Sequence, residues 1–552
     1  MSLQIKIHID KSLNSNGFIQ SCFVPTFKET INYLFDDEIQ GGVVDREEDS
    51  LLTLCDAVSD VKYEPALPIS IDNRIGDKYS NINSFQLPKE TDLGSCEESK
   101  QLALNLTFAI LSRLGIGSFH SRIFISYKRR ETEQLALELY KCLTAEKLGF
   151  EVFLDTRKLD VGTKFMDDIR LSIAESDIFL LLDSAGYWGK DSVYTRKELY
   201  TAMYSNTGII RLFHGEGEQS EIAKAFESLR LKKENCVCDD DISNLIKIIN
   251  DKRTSFLKAK MERLNDVRRT INEKDLWSYE SDTDGVICPI FGVPTSQRIE
   301  KLEDRLKDKV VSPPSFSILY DHWVVPESYN NHIQWVVNEK NIKITTLQNM
   351  KMPKGDFKNP TVFLSASLSS EKDYDFTKVH NVIVTLVEEV INRNGILVFG
   401  GHPTITPIIA NMMNIYNATN KDFPNIYLYQ SNYYPEEEQP KENKEFPVDK
   451  IKRIDACDGD QEKSLEAMRK EMLSEHGNFT LGVFIGGRVE KNPNGAISCG
   501  VWNECEYFHK KHPNAICISF TDTGTNIDVI KRYYNPSLVS LTSADQIRNY
   551  FD

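Results

Sequence analysis

The sequence predicts a multidomain α/β protein organised around doubly wound parallel sheets. Two stretches of the 552-residue chain carry the pattern. In the first, strand, helix, strand, helix and strand follow one another between Ile123 and Ser184, a spacing that requires right-handed crossovers between parallel strands. In the second, from Asn359 onward, apolar strands empty twice into a Gly-Gly pair. The third observation is the unbroken apolar run Ile178-Phe179-Leu180-Leu181-Leu182, the mark of a strand buried on both faces of a parallel sheet.

The first unit opens with Ile123-Phe124-Ile125-Ser126-Tyr127, a strand running into the basic turn Lys128-Arg129-Arg130. Leu135, Leu139 and Leu143 then recur at four-residue spacing, the stripe of an amphipathic helix laid on a sheet. Gly149-Phe150-Glu151-Val152-Phe153-Leu154-Asp155 reads as a short apolar strand ending in a carboxylate, followed by the loop Arg157-Lys158-Leu159-Asp160-Val161-Gly162. The next helix spaces Phe165, Ile169 and Ile173 by four and turns them to the core. Beyond the buried strand comes Ser192-x-Tyr194-x-x-x-Glu198.

The FISY start, the GFEVFLD strand, the RKLDVG loop and this ending resemble a TIR (Toll/interleukin-1 receptor) domain over about 122–250. The likeness is to the enzymatic branch, which cleaves the nicotinamide–ribose bond of NAD+; there the residue four before the glutamate is usually Trp, and here it is Tyr194. The resemblance implies a flavodoxin-like doubly wound domain with Glu198 as its catalytic residue. It implies substrate contacts from Phe124, Ser126, Tyr127, Lys128, Arg129, Asp155, Leu159, Gly162, Phe165, Trp188 and Tyr194, with NAD+ as substrate and no further cofactor. A homo-oligomer or filament is expected, the loop 157–162 of a neighbouring copy closing the site.

The residue types suit that chemistry. Breaking an N-glycosidic bond passes through an oxocarbenium-like ribosyl cation, which a nearby carboxylate stabilises. Nicotinamide leaves as a neutral base, so one carboxylate suffices where an ordinary glycosidase needs two. Lys128, Arg129 and Arg130 stand at the C-terminal edge of the first strand, where open α/β sheets bind ligands, and cations there suit phosphates.

The second unit begins with the strand Thr361-Val362-Phe363-Leu364-Ser365-Ala366-Ser367 and a helix through Val379, Ile383, Leu386 and Val390, which Gly395 is expected to end as a left-handed cap. The next strand exits at Gly400-Gly401-His402. A later one, from Phe479, exits at Gly486-Gly487-Arg488 ahead of a helix through Trp502, Glu504 and Glu506. Paired glycines at strand ends let backbone approach a phosphate or ribose with no Cβ in the way. FLSAS, FGGHPTITP and FIGGR…E together resemble the SLOG superfamily, Rossmann-like domains related to lysine decarboxylase-like phosphoribohydrolases. The enzymatic PGGxGTxxE string is missing, which favours a sensor of nucleotides over a catalyst. A nucleotide-derived activator is implied, held by Ser365, Ser367, Gly400, Gly401, His402, Gly486, Gly487, Arg488 and Glu504.

Composition bounds the rest. A net charge of −16 argues against general nucleic-acid or anionic-membrane binding. No apolar run reaches the ~18 residues of a membrane span, and the start MSLQIKIHID has no signal-peptide core. Eleven cysteines form no CxxC pair, which points to reduced thiols in the cytoplasm. Cys236-Val237-Cys238 is too tight for a zinc knuckle, and no metal site is expected.

The resulting map has an N-terminal α+β extension (1–117) that buttresses the catalytic domain, the TIR domain (118–250), a charged helical linker with a small connecting subdomain holding Trp323 and Trp335 (251–355), and the sensing domain (356–552). Within the last, 433–460 is expected to be a mobile insertion. The function expected is that of a bacterial immune effector, an NAD+ glycohydrolase whose TIR domains assemble when a nucleotide second messenger binds. The alternatives left open are a TIR cyclase making a cyclic ADP-ribose signal, and a non-catalytic scaffold that recruits partners through the loop 157–162.

Overall fold

The computed structural model describes residues 3–13, 15–35, 39–46, 50–56, 66–71, 85–87, 96–114, 122–144, 150–154, 163–189, 192–215, 221–270, 279–281, 285–290, 293–307, 316–321, 323, 325, 329–340, 342–346, 359–368, 376–419, 424–434, 446–487, 490–491, 497–498, 500–521, 523 and 538–551. Among them stand four parallel or largely parallel sheets and one small hairpin.

The N-terminal sheet consists of β1 (Leu3–Ile9), β2 (Ile39–Val44), β3 (Leu52–Asp56), β4 (Ala66–Ile71) and β5 (Phe85–Leu87), in the order β2-β1-β3-β4-β5. Every pairing is parallel, so this region is α/β and not the α+β extension expected. Gly41-Gly42 and Pro68 interrupt its short strands and hide their periodicity from the sequence. Its helices are α1 (Val24–Leu34) and α2 (Cys96–Arg113).

The second sheet holds β6 (Arg122–Ser126), β7 (Glu151–Leu154), β8 (Ile178–Leu182), β9 (Gly208–Phe213) and β10 (Glu227–Arg230), with helices α3 (Arg129–Leu143), α4 (Thr163–Ala174), α5 (Val193–Tyr204) and α6 (Glu221–Lys224). Its order, β10-β9-β8-β6-β7, is parallel throughout and reverses direction between β6 and β8. All five residues of β8 are buried, as its apolar run requires. One face packs Ile123, Ile125 and Leu180 under α3, and the other packs Phe124, Phe179 and Leu181 under α4 and α5.

The charged linker expected from residue 252 is part of one helix, α7 (Asp239–Thr270), about 48 Å long at 1.5 Å per residue. It is a core element. Leu245, Ile246 and Ile249 complete the second sheet's core, while Phe256, Leu257 and Met261 enter the N-terminal one. Arg253, buried between them, donates to Asn105 at 2.8 Å and to Asp177 at 3.3 Å. That tie joins the N-terminal sheet to the second one through α7.

A third sheet, β11 (Tyr279–Ser281), β12 (Gly285–Ile290), β13 (Phe316–Tyr320) and β14 (Lys343–Thr346), carries α8 (Ser296–Lys307) and α9 (Asn330–Lys340). The fourth contains β15 (Thr361–Ser367), β16 (Ile396–Gly400), β17 (Asn425–Ser431), β18 (Ile451–Ile454), β19 (Leu481–Gly486), β22 (Ile516–Phe520) and β23 (Leu538–Leu541), with the hairpin β20 (Glu490–Lys491) and β21 (Ile497–Ser498) outside it. Its helices are α10 (Phe376–Asn392), α11 (Thr406–Thr419), α12 (Gln461–Met472) and α13 (Gly500–Lys511). The order β18-β17-β16-β15-β19-β22-β23 is parallel and reverses between β15 and β19.

Two expectations need correction here. Part of the presumed insertion is built into the sheet: Phe446 is buried, β18 pairs with β17, and Asp460 caps α12 by accepting from the Lys463 amide, while 435–445 lies outside the described residues. The left-handed cap of α10 is Asn394, at φ 49°, and not Gly395. Asn394 donates to the Ile391 carbonyl and Gly395 to that of Val390, the paired bonds of a Schellman motif. Gly395 is required for a different reason, since a Cβ there would stand 2.7 Å from the Pro360 carbonyl oxygen.

The second and fourth sheets share one apolar core. Phe179, Leu199 and Met203 join Val379, Ile383 and Ile408 in it, α5 packs on α11, and Phe226 meets Phe376 edge-on at 5.8 Å.

Candidate functional site

Parallel sheets bind ligands at the carboxyl ends of their strands, where the strand order reverses. In the second sheet that point lies between β6 and β8, and Glu198 is there. It sits on α5, whose buried stripe is Thr195, Leu199, Ala202 and Met203, a spacing of four, three and one that faces the sheet. Glu198 borders the stripe and is therefore only partly buried. The last residue of β6, Ser126, donates to Glu198 Oε2 at 2.6 Å.

Behind Ser126 stands Tyr187, from the 3-10 turn Ala185–Tyr187. Its hydroxyl lies 2.9 Å from Ser126 Oγ and 3.0 Å from the Thr195 carbonyl oxygen, to which it donates. Complete burial, reinforced by the charge of Glu198, raises the Tyr187 pKa well above the ordinary phenol value. It therefore stays a donor and leaves the Ser126 proton to Glu198.

The flanks of the site are equally tied. Trp188 donates its indole N–H to Asp183 at 2.6 Å, and Asp183 receives Arg211 at 2.5 and 2.8 Å. Lys128 donates to Ser192 Oγ at 2.6 Å, and Ser192 bonds the Gly186 carbonyl. The Gly186 amide donates to Glu131 at 2.9 Å, and the carboxylate lies where a Cβ on Gly186 would stand, so a side chain there would displace it. Arg129 and Arg130 open α3 at the same rim, and Tyr194 stands 43% exposed on the outer side of α5.

The structure thus gathers Ser126, Lys128, Arg129, Trp188, Tyr194 and Glu198 around one rim. It excludes two residues expected to touch substrate. Phe124 is 1% exposed and stacked between Phe153 and Phe179 at 5.2 and 5.5 Å, inside the core. Tyr127 alternates onto the opposite face among Leu135 and Leu139, away from Glu198. Asp155, Leu159, Gly162 and the side chain of Phe165 lie outside the described residues. Sequence reading missed Tyr187, Asp183 and Arg211. An arginine within the apolar strand Gly-Ile-Ile-Arg-Leu-Phe was the available signal, because a buried charge requires a partner.

The fourth sheet reverses between β15 and β19, and this second crevice is built differently. Ser367 pairs in register with Gly486. Gly486 and Gly487 adopt φ of 65° and 106°, and a Cβ on Gly486 would stand 2.2 Å from the Ser367 carbonyl oxygen. Gly401 is also closely approached, with Gln430 Nε2 at 3.1 Å from its Cβ position, whereas Gly400 has ordinary room. His402 Nδ1 lies 2.7 Å from Thr404 Oγ1 and 3.3 Å from the Thr404 amide, which holds the ring against the turn after β16. Ser365 Oγ and Ser519 Oγ, both in register with Phe484 from the two sides of β19, are buried and have no partner among the described residues. Glu504 receives Arg469 at 2.9 Å, so it is held as an ion pair. Arg488 lies outside the described residues.

Among the described residues no group of His, Cys, Asp or Glu could hold a metal ion, and no helix is long and apolar enough to cross a membrane. A family model described as TIR domain matches residues 123–245, and one described as the SLOG cluster3 family matches residues 371–546. No curated protein matches the chain. The second sheet is accordingly a TIR domain, and the fourth belongs to a C-terminal SLOG domain.

Proposed function

We propose that the chain is an NAD+ glycohydrolase effector of the kind used in bacterial defence, and that a nucleotide second messenger in the SLOG crevice switches it on. The observation that carries this reading is Glu198, partly buried at the switch point of the TIR sheet, with one carboxylate oxygen fixed by Ser126 and Ser126 itself fixed by Tyr187. A carboxylate held before the reaction begins meets the positive charge that develops on the ribose as the bond to nicotinamide stretches. Nicotinamide departs neutral, and water then takes the ribosyl cation to give ADP-ribose. Arg129 and Arg130 bring positive charge to the rim where the pyrophosphate lies.

The SLOG crevice supports the sensing half. It offers close-approach glycines at the strand ends with His402 beside them, a set suited to holding a phosphorylated nucleoside. Tyr194 stands exposed at the rim, where a second TIR domain would cover the substrate and exclude water.

Purified protein incubated with NAD+, with and without a panel of cyclic and linear nucleotides, should release nicotinamide and ADP-ribose on chromatography, and light scattering should report assembly under the same activating nucleotide. Intact NAD+ under every nucleotide would overturn the enzymatic reading. Full turnover by a protein that stays monomeric would overturn the assembly step alone.

A further inference from the structure

The helix that carries Glu198 ends on the other domain. At its C-terminus Asn206 takes a left-handed φ of 54°, the Thr207 amide donates to the Ala202 carbonyl and the Asn206 amide to that of Met203. These are the two bonds of a Schellman motif, and they satisfy the carbonyls one turn back. The carbonyl of Tyr204, the last helical residue, accepts from outside the domain: His380 Nε2 of α10 lies 2.8 Å away. The capping Asn206 also reaches α10, donating from Nδ2 to Asn381 Oδ1 at 3.3 Å, and Asn381 donates in turn to the Ala259 carbonyl of α7 at 2.8 Å.

Both α10 side chains are 1% exposed, so these bonds are made away from water, where a lost partner is costly. Burial lowers the His380 pKa to about 4, which keeps the ring neutral at physiological pH; a carbonyl can only accept, so the ring proton is on Nε2.

The far end of α10 is anchored as well. Glu388 accepts from Trp323 Nε1 at 3.0 Å and lies 3.4 Å from Arg263 of α7, and Glu389 accepts from Arg393 and Arg548 at 3.2 and 2.8 Å. The near end follows β15 and hence begins on the crevice side of the parallel sheet. One buried rod thus joins the crevice, the TIR helix cap and α7.

We infer that His380 and Asn381 are positioning residues for Glu198: from the SLOG domain they complete the C-terminal cap of the catalytic helix, and α10 carries the state of the SLOG crevice to that cap. The inference rests on the two-crevice reading for its ligand and reaction, but not for the cap itself. Glu198 stands six residues before Tyr204, about 9 Å along the helix axis, so a rotation of the capped turn is felt at the carboxylate.

The test uses the full chain and the variants H380L, H380Q and N381A, with thermal melts to select those that fold. In hydrogen–deuterium exchange without ligand, amides 204–207 of H380L and N381A should exchange at least ten-fold faster than the parent's while β6 is unchanged. H380Q, whose amide can still donate to Tyr204, should restore protection. With ADP and cyclic di-AMP as probes, calorimetric affinity in H380L should stay within about two-fold of the parent, and KM for NAD+ likewise, but the ratio of kcat with and without nucleotide should collapse toward one. Parent-like exchange at 204–207 in both variants, or a parent-like nucleotide response in H380L, would overturn the inference. A parent that neither binds these nucleotides nor cleaves NAD+ defeats the two-crevice reading, and the exchange experiment still decides whether α10 caps the helix.

Discussion

The TIR and SLOG crevices occupy equivalent points of their sheets, and they are furnished in opposite ways. In the TIR crevice side chains do the work: Ser126, Tyr187, Thr195 and Glu198 form a chain of hydrogen bonds, and the nearby Asp183, Arg211 and Trp188 are locked to each other. In the SLOG crevice the described strand ends are built around close-approach backbone, with left-handed Gly486 and Gly487 against the Ser367 carbonyl and the Gly486 amide donating to Thr523 Oγ1. A reaction needs one charge whose position is fixed before substrate arrives, and recognition needs surfaces that the ligand itself completes. Topology chooses where a ligand sits; the side chains left at the strand ends choose what happens to it.

The largest expected effect breaks the TIR side alone. E198Q keeps the shape but removes the charge, and NAD+ cleavage should fall at least ~100-fold, in line with roughly 2.7–4 kcal/mol for one preorganised electrostatic contact. Nucleotide binding by calorimetry should be unaltered. Retained cleavage would remove Glu198 from the chemistry.

G486A breaks the SLOG side. A side chain at φ 65° costs about 1–3 kcal/mol in strain, and its Cβ would collide with the Ser367 carbonyl. Nucleotide affinity should drop more than ten-fold, and unstimulated NAD+ turnover should stay within two-fold. Equal losses of both would mean that the crevices are not separable.

Acid tests the join between them. The folded His380 pKa, about 4, lies below the ~6.5 of an exposed imidazole, so the unfolded chain binds its proton first. The stability is fully present above pH 6.5 and is lost as pH falls from there toward 4. Denaturant unfolding at pH 7 and pH 5 should differ by about 2 kcal/mol on this account. H380Q, which has no ring to titrate, should lose most of that difference; an unchanged pH dependence would contradict the buried neutral ring.

The smallest effect sharpens the TIR chain. Y187F deletes a buried donor and should cost about 1 kcal/mol of stability, and kcat should fall by less than ten-fold because Ser126 still reaches Glu198. A fall as deep as that of E198Q would make Tyr187 a direct participant.

How far these sites were legible depended on the distance over which each was specified. The place of Glu198 at the switch point of its sheet was legible because the strand, loop and S-x-Y-x-x-x-E ending lie within one short module. Phe124 was misassigned because a motif names residues while strand alternation decides which face each one takes: Phe124 and Ser126 share a face, yet only Ser126 reaches the strand's end. The cap of α10 went to Gly395 on propensity, whereas Asn394 supplies the left-handed turn and Gly395 the clearance against Pro360. His380 and Asn381 gave no signal at all. The apolar positions Val379, Ile383, Leu386 and Val390 identified the helix, but the polar residues between them find partners 176 and 175 positions away. Such contacts are a property of how domains dock, and only the folded chain contains them.

The claim that one crevice reacts under the control of the other is tested most directly by a paired titration. An activating nucleotide is added to the full chain at fixed NAD+ while nicotinamide release is followed by chromatography, and the same titration is repeated by calorimetry. The two curves should share one midpoint, and E198Q should keep the binding curve while losing the release. Nicotinamide release that stays flat while binding saturates, or release that persists in E198Q, would contradict the claim.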